Sequence, residues 1–173
     1  MGDQGTILRT TNGGNSCVPQ PSGTTKTLYG VSFTDQNNGT VVGFEFGGTG
    51  IILRTTDGGN NWVEQTSYSL PQGASSFFAV SFSDANTGTI VGEAGIVLQT
   101  ANGGQQWSSQ PSVTFNYLHG VSFTDANTGS RSIWRDSQDS GSGSYAPANA
   151  DTQATSHTCA STIMSAARKK ISH

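Results

Sequence analysis

Charge is what this sequence has least of. Only 11% of its 173 residues are Asp, Glu, Lys or Arg, against about 25% in an ordinary globular chain. That scarcity excludes a coiled coil or a long helical rod, both of which live on Glu, Lys and Arg. The formal net charge is −3, and no basic stripe crosses the main body, which argues against a nucleic-acid partner. Cysteine is nearly absent: Cys17 and Cys159 are too few for a disulfide scaffold. No apolar run approaches the roughly 18–20 residues needed for a transmembrane helix. The opening MGDQGTILRT lacks the basic and apolar regions of a signal peptide. Histidine is also scarce. Two of the three, His157 and His173, lie near the C-terminus, so neither a metal cluster nor a histidine-based triad is spaced sensibly. No metal or other cofactor is expected.

What is abundant is glycine, with 23 residues, and it recurs in register. GTILRTTNGGNSC (Gly5 to Cys17) returns as GIILRTTDGGNNW (Gly50 to Trp62) and GIVLQTANGGQQW (Gly95 to Trp107). Leu8, Leu53 and Leu98 are spaced by 45 residues, as are Cys17, Trp62 and Trp107. A second block alternates with the first: LYGVSFTDQNNGTVVG, FFAVSFSDANTGTIVG and YLHGVSFTDANTG. Four extra residues around Phe44–Gly48 are offset after Trp62, so length varies only between fixed blocks, as loops do on a repeated scaffold.

Each unit offers four short strands: GVSFTD, GTVVG, IILRTT and NWVEQT. Alternation, β-branched residues and Gly/Asn/Asp punctuation favour strands over helices. The third and fourth are joined by Asn12-Gly13-Gly14, Asp57-Gly58-Gly59 or Asn102-Gly103-Gly104. Asx-Gly suits tight turns because it tolerates positive φ. Four antiparallel strands in a period of about 45 residues make the blade of a β-propeller. The fold class is therefore all-β: an incomplete propeller of about three blades over residues 1–129, followed by a tail.

TTDGGNNW resembles the Asp-box of BNR-type propellers. The longer pattern V-S-F-x-D-x-x-x-G-T-x-V-G…G-x-I-L-R-T-T-D-G-G-x-x-W resembles the photosystem II stability and assembly factor family, and also the repeat of many bacterial surface proteins. The resemblance covers residues 1–129. It implies a propeller without an active site that acts through protein contacts, with a partner such as a membrane-protein precursor, in an extracytoplasmic compartment. The sequence departs from the motif at Cys17, which stands in the Trp position, and at Asn12 and Asn102, which stand for Asp. The turn residues Asn12, Asp57, Gly58, Gly59, Asn102, Gly103 and Gly104 are read as structural, with Trp62 and Trp107 packed as apolar rings whose N–H groups find acceptors.

Arg9 and Arg54 are two of three basic residues in the body and share a repeat position, where Gln99 stands in the third unit. Guanidinium groups suit carboxylates and carbonyls, and the resemblance implies an arginine-bearing partner surface. Arg9 and Arg54 are thus the candidate partner-binding residues, the competing reading being that each satisfies a nearby carboxylate or carbonyl. His119, in the repeat position of Tyr29, reads as packed or half-exposed. No catalytic set emerges. A sialidase-like, carbohydrate-active fragment is the alternative, but its site requires three arginines and a Tyr–Glu pair. A structural repeat of a larger surface protein is the third reading. The chain is expected to be non-enzymatic.

The pattern breaks at Gly129. Leu, Ile, Val and Phe account for 29 of the first 129 residues and 3 of the last 44. Residues 130–173 read as a low-complexity disordered tail, and a shifted reading frame over SRSIWRDSQD restores a repeat-like string, so a frameshift product is the expectation there. Blade faces and strand edges left open invite pairing with a second copy. Sedimentation velocity is expected to show self-association, and a compact, well-behaved monomer counts against it.

Overall fold

In the computed structural model, the structure describes residues 1–45, 48–66, 68, 76–112 and 114–123, and the backbone of 129–133. Among these residues the strands run β1 (Ile7–Arg9), β2 (Val18–Gln20), β3 (Thr27–Phe33), β4 (Gly39–Phe44), β5 (Gly50–Thr55), β6 (Val63–Glu64), β7 (Phe77–Phe82), β8 (Gly88–Gly92), β9 (Val97–Thr100), β10 (Ser108–Ser109), β11 (Leu118–Phe123) and β12 (Gly129–Ile133). Two sheets have four strands in sequential order, β3-β4-β5-β6 and β7-β8-β9-β10; β1-β2 and β11-β12 form two-stranded sheets. All these pairings between consecutive strands of the four-stranded sheets are antiparallel. This is the expected incomplete propeller, with two full blades. Leu8–Pro19 belongs to a compact unit separate from the blades. It is a hairpin in its own right, built from the end of β1, the Asn12-Gly13-Gly14 turn and the start of β2. Among the described residues no helix is long and apolar enough to cross a membrane.

The blades stack because their middle strands are apolar on both sides. Successive residues of a strand point to opposite faces, and here both faces are buried. On β4, Val41 joins Ile7, Leu28, Ile51 and Leu53 in one core, while Val42 joins Ile52, Phe77, Val80, Ile90 and Leu98 in the next. On β8 and β9, Ile90 and Leu98 face that second core; Val91 and Val97 face a third with Leu118. This is why GTVVG and GTIVG, continuous rather than alternating in sequence, are buried along their whole length. Burying each such side chain contributes about 1.5–3 kcal/mol.

Polar contacts fix neighbouring blades in step. The Phe82 N–H donates to Ser32 Oγ at 3.2 Å, and the Phe123 N–H donates to Ser81 Oγ at 3.2 Å. The serines of the first two V-S-F triplets, Ser32 and Ser81, thus each accept a backbone N–H from the next blade's inner strand. The fourth strands are shorter than NWVEQT suggests. In the two four-stranded sheets they are Val63–Glu64 and Ser108–Ser109, at an edge that buries little: Val63 is 62% exposed.

Each inner strand carries a β-bulge at the same place. Leu28 and Gly30 oppose Gly43 and Val42, so Tyr29 is the extra residue. Phe77 and Ala79 oppose Gly92 and Val91, leaving Phe78 extra. Leu118 and Gly120 oppose Ile133 and Ser132, leaving His119 extra. Beside the bulge the facing backbone comes so close that a Cβ on Gly43 or Gly92 would overlap the Thr27 or Ser76 carbonyl oxygen. β12 reaches four residues beyond Gly129, and the rest of the segment read as a disordered or frameshifted tail lies outside the described residues.

Gly92→Ala is expected to cost about 1–3 kcal/mol, since the obstructing atom is backbone and cannot rotate away. Leu98→Ala, which empties a fully buried site between two blades, is expected to cost about 2–5 kcal/mol. Urea denaturation of the two variants measures both.

Candidate functional site

The three Asx-Gly-Gly turns share one hydrogen-bond plan. In the first full blade, the Thr55 hydroxyl donates to Asp57 Oδ1 at 2.8 Å and accepts the N–H groups of Asp57 and Gly59 at 3.3 and 2.9 Å. Asp57 Oδ1 also accepts the Asn61 N–H at 2.9 Å, and Oδ2 accepts the Asn61 side-chain amide at 2.7 Å. In the second blade Thr100, Asn102, Gly104 and Gln106 repeat the scheme at 2.9 to 3.3 Å. In the separate hairpin Thr10, Asn12, Gly14 and Ser16 repeat it again. One side-chain oxygen at the Asx position suffices to accept both bonds, and so Asn12 and Asn102 serve as well as Asp57.

The glycines have separate reasons. Gly58 and Gly59 take φ of 71° and 87°, and Gly103 and Gly104 take 68° and 84°, the region glycine enters without steric cost. The Gly58 and Gly103 N–H groups donate to the Asn37 and Asn86 carbonyls at 2.8 and 2.9 Å, joining this turn to the turn after the blade's first strand. A Cβ on Gly59 or Gly104 would sit 3.4 Å from the Trp62 or Trp107 ring. Each Trp covers its own turn and meets Phe33 or Phe82 edge-on, with ring centroids 6.0 and 5.9 Å apart. The expectation of an indole N–H acceptor is corrected: Nε1 of both Trp62 and Trp107 is buried without a hydrogen-bond partner. The ring lies flush over glycine backbone, and this position presents the nitrogen with no acceptor.

Arg54 is brought to a carbonyl of the neighbouring blade. Its Nε donates to the Gly103 oxygen at 2.8 Å, across 49 residues of sequence. The side chain borders a cleft of about 220 Å³ between the two blades, lined also by Ser32, Asn38, Thr40, Asn86, Asn102 and Gln105. Gln99, at the same repeat position in the next blade, is exposed. Arg9 is half-buried on β1 of the separate hairpin. Among the described residues no three His, Cys, Asp or Glu side chains gather as metal ligands.

The threonines are not among the residues that the sequence singles out. Thr10, Thr55 and Thr100 are the hubs of the turns, and Thr55 and Thr100 are 1% and 4% exposed. Their recurrence two residues before each Asx was the available signal.

The Asp57 carboxyl is lowered to about 2, first by the Asn61 backbone N–H, then by the Asn61 amide and the Thr55 hydroxyl. An unfolded Asp titrates near 3.9, so this carboxylate favours the folded state above about pH 4 and ceases to do so as pH falls through about 2. Asp57→Asn is expected to keep the fold and reduce the fall in stability between those values, measured by thermal unfolding against pH. Thr55→Val, which strands the buried Gly59 N–H, is expected to cost about 1–3 kcal/mol at neutral pH.

Comparison with known proteins follows the same repeats. The family described as "Photosynthesis system II assembly factor YCF48" matches residues 18–116. A solved structure titled "YCF48 bound to D1 peptide" is 30% identical over 61% of this chain and 34% of its own, with a TM-score of 0.52. YCF48 from Cyanidioschyzon merolae shares the fold at 19% identity, covering 75% of this chain and 37% of its own, with a TM-score of 0.53. This chain thus spans little more than a third of the length of those structures. No curated protein matches it. Because the family match takes in more than half of the chain, including both complete blades, the chain belongs to the YCF48 family of photosystem II assembly factors.

Proposed function

We propose that this chain is a non-enzymatic, protein-binding module of an assembly factor, and that Arg54 contacts the partner. The observation that carries the proposal is the family match over both full blades, together with the relative whose structure is titled as bound to a D1 peptide. The carbohydrate-active alternative draws no support from these matches.

The cleft beside Arg54 suits an extended peptide. It is lined by amides and hydroxyls from both blades, groups that donate to and accept from a peptide backbone. Nε is committed to the Gly103 carbonyl, which anchors the guanidinium plane. A guanidinium held in this way binds a carboxylate with little further loss of side-chain freedom. Arg9 is a second proposed contact on its own hairpin, by repeat position alone.

The test is fluorescence anisotropy with a labelled D1 peptide. The intact chain is expected to bind, and Arg54→Gln to weaken binding about tenfold, the worth of one charge-assisted contact. Thermal unfolding of the same variant separates lost binding from lost clamping of Gly103. Full affinity in a folded Arg54→Gln protein assigns the residue to the clamp alone.

A further inference from the structure

The three bulges place aromatic rings side by side on one rim. Tyr29 stacks face to face on Phe44, with centroids 5.1 Å apart and planes 7° apart. Phe78, from the next blade, stands edge-on to both at 5.9 Å. His119, from the blade after that, stacks on Phe78 at 4.7 Å and 16°. Tyr117 closes the row, 5.9 Å from Phe78. The row is therefore continuous across three sheets. It is also open: Tyr29 and Tyr117 are each 49% exposed, and Phe115 nearby in sequence is 91% exposed. None of this is needed to fill the cores, which lie between the sheets. A bulge re-aims a side chain without adding a ladder pair, and here the re-aimed residue is a ring three times over.

Carboxylates flank the row. Asp3 accepts the Thr27 hydroxyl at 3.3 Å, and its charge, after burial, helps to push the Tyr29 hydroxyl up. Glu93 accepts the Tyr117 hydroxyl at 3.3 Å on one oxygen and the Ser76 hydroxyl at 2.8 Å on the other. Glu45 follows Phe44 directly and is exposed. The nearest Lys or Arg in sequence is Lys26, immediately before β3, and the imidazole of His119 is itself part of the row.

From this juxtaposition we infer a second docking surface, distinct from the Arg54 cleft, that takes a basic, extended segment of a protein partner. Ring faces attract ammonium and guanidinium groups within about 6 Å, and the apolar stems of Lys and Arg lie along exposed rings. The carboxylates at either end of the row match the charge of such a segment and repel an acidic one. The surface is separate from Arg54: Thr40, at the start of β4, pairs with Arg54, whereas Phe44 ends the strand, about 13 Å away at the usual rise.

The probe is a short labelled peptide of alternating lysine and serine, titrated by fluorescence anisotropy, with the glutamate–serine peptide beside it. The lysine peptide is expected to bind, less tightly as salt rises, and the glutamate peptide not to bind. The double variant Tyr29→Ser, Tyr117→Ser changes only half-exposed side chains and is expected to weaken binding at least tenfold. Glu93→Gln is expected to weaken it severalfold, and Glu64→Gln, on the outer strand β6, to leave it unchanged. Circular dichroism melts verify that the variants stay folded. The inference is overturned if the lysine peptide fails to bind, if the folded double variant binds it equally well, or if the glutamate peptide binds comparably. Sedimentation in which the intact chain dimerises and the double variant is monomeric also overturns it, because the occupant is then a second copy.

Discussion

Everything in this fold follows from the burial of the middle strands on both faces. Val41 and Val42 are neighbours in sequence and belong to different cores, as do Ile90 and Val91. No blade can satisfy its own apolar residues, since half of them require another sheet. A mostly uncharged chain of small and β-branched residues becomes stable only by stacking, and the stacking order is the chain order. The low charge content is the corollary: with both faces of the inner strands covered, only rims, turns and outer strands remain for polar groups.

Stacking by apolar contact alone would permit sliding, and the polar groups remove that freedom. Ser32 and Ser81 each accept a backbone N–H from the following blade, and Arg54 reaches the Gly103 carbonyl. These bonds are directional where the cores are not. They set the register between blades much as ladder bonds set it within one. The Thr-centred turns do the same at shorter range, holding the outer corner of each blade to its inner corner through Asn37 and Asn86.

How much of this was legible is best seen residue by residue. The repeat and its Asx-Gly-Gly turns were plain, because positive φ leaves a mark that only a few residue types can carry. The blade pairing was legible for the same reason. Thr55 and Thr100 were hidden, since threonine is also an ordinary strand former and its buried hydroxyl role cannot be told from composition. Ser32 lies between Val31 and Phe33 as the polar residue of an alternating strand; its acceptor role depends on a residue 50 positions away. The indole N–H of Trp62 and Trp107 was expected to find an acceptor, as buried tryptophans usually do, yet the glycine surface beneath the ring offers none. Of the candidate partner residues, Arg54 acquired a defined environment. Arg9, on a hairpin that packs as its own unit, acquired one only locally.

The placement of the bulges has a consequence for how such a protein changes over time. Tyr29, Phe78 and His119 are surplus to the ladder: each could be exchanged for another side chain while Leu28, Phe77 and Leu118 beside them keep their buried places. Surface chemistry is therefore uncoupled from folding at one position per blade. A lineage can rewrite that rim one repeat at a time, and gene duplication of a blade copies both the scaffold and a fresh, unconstrained slot. Ligand preference and architecture are inherited together but free to diverge separately.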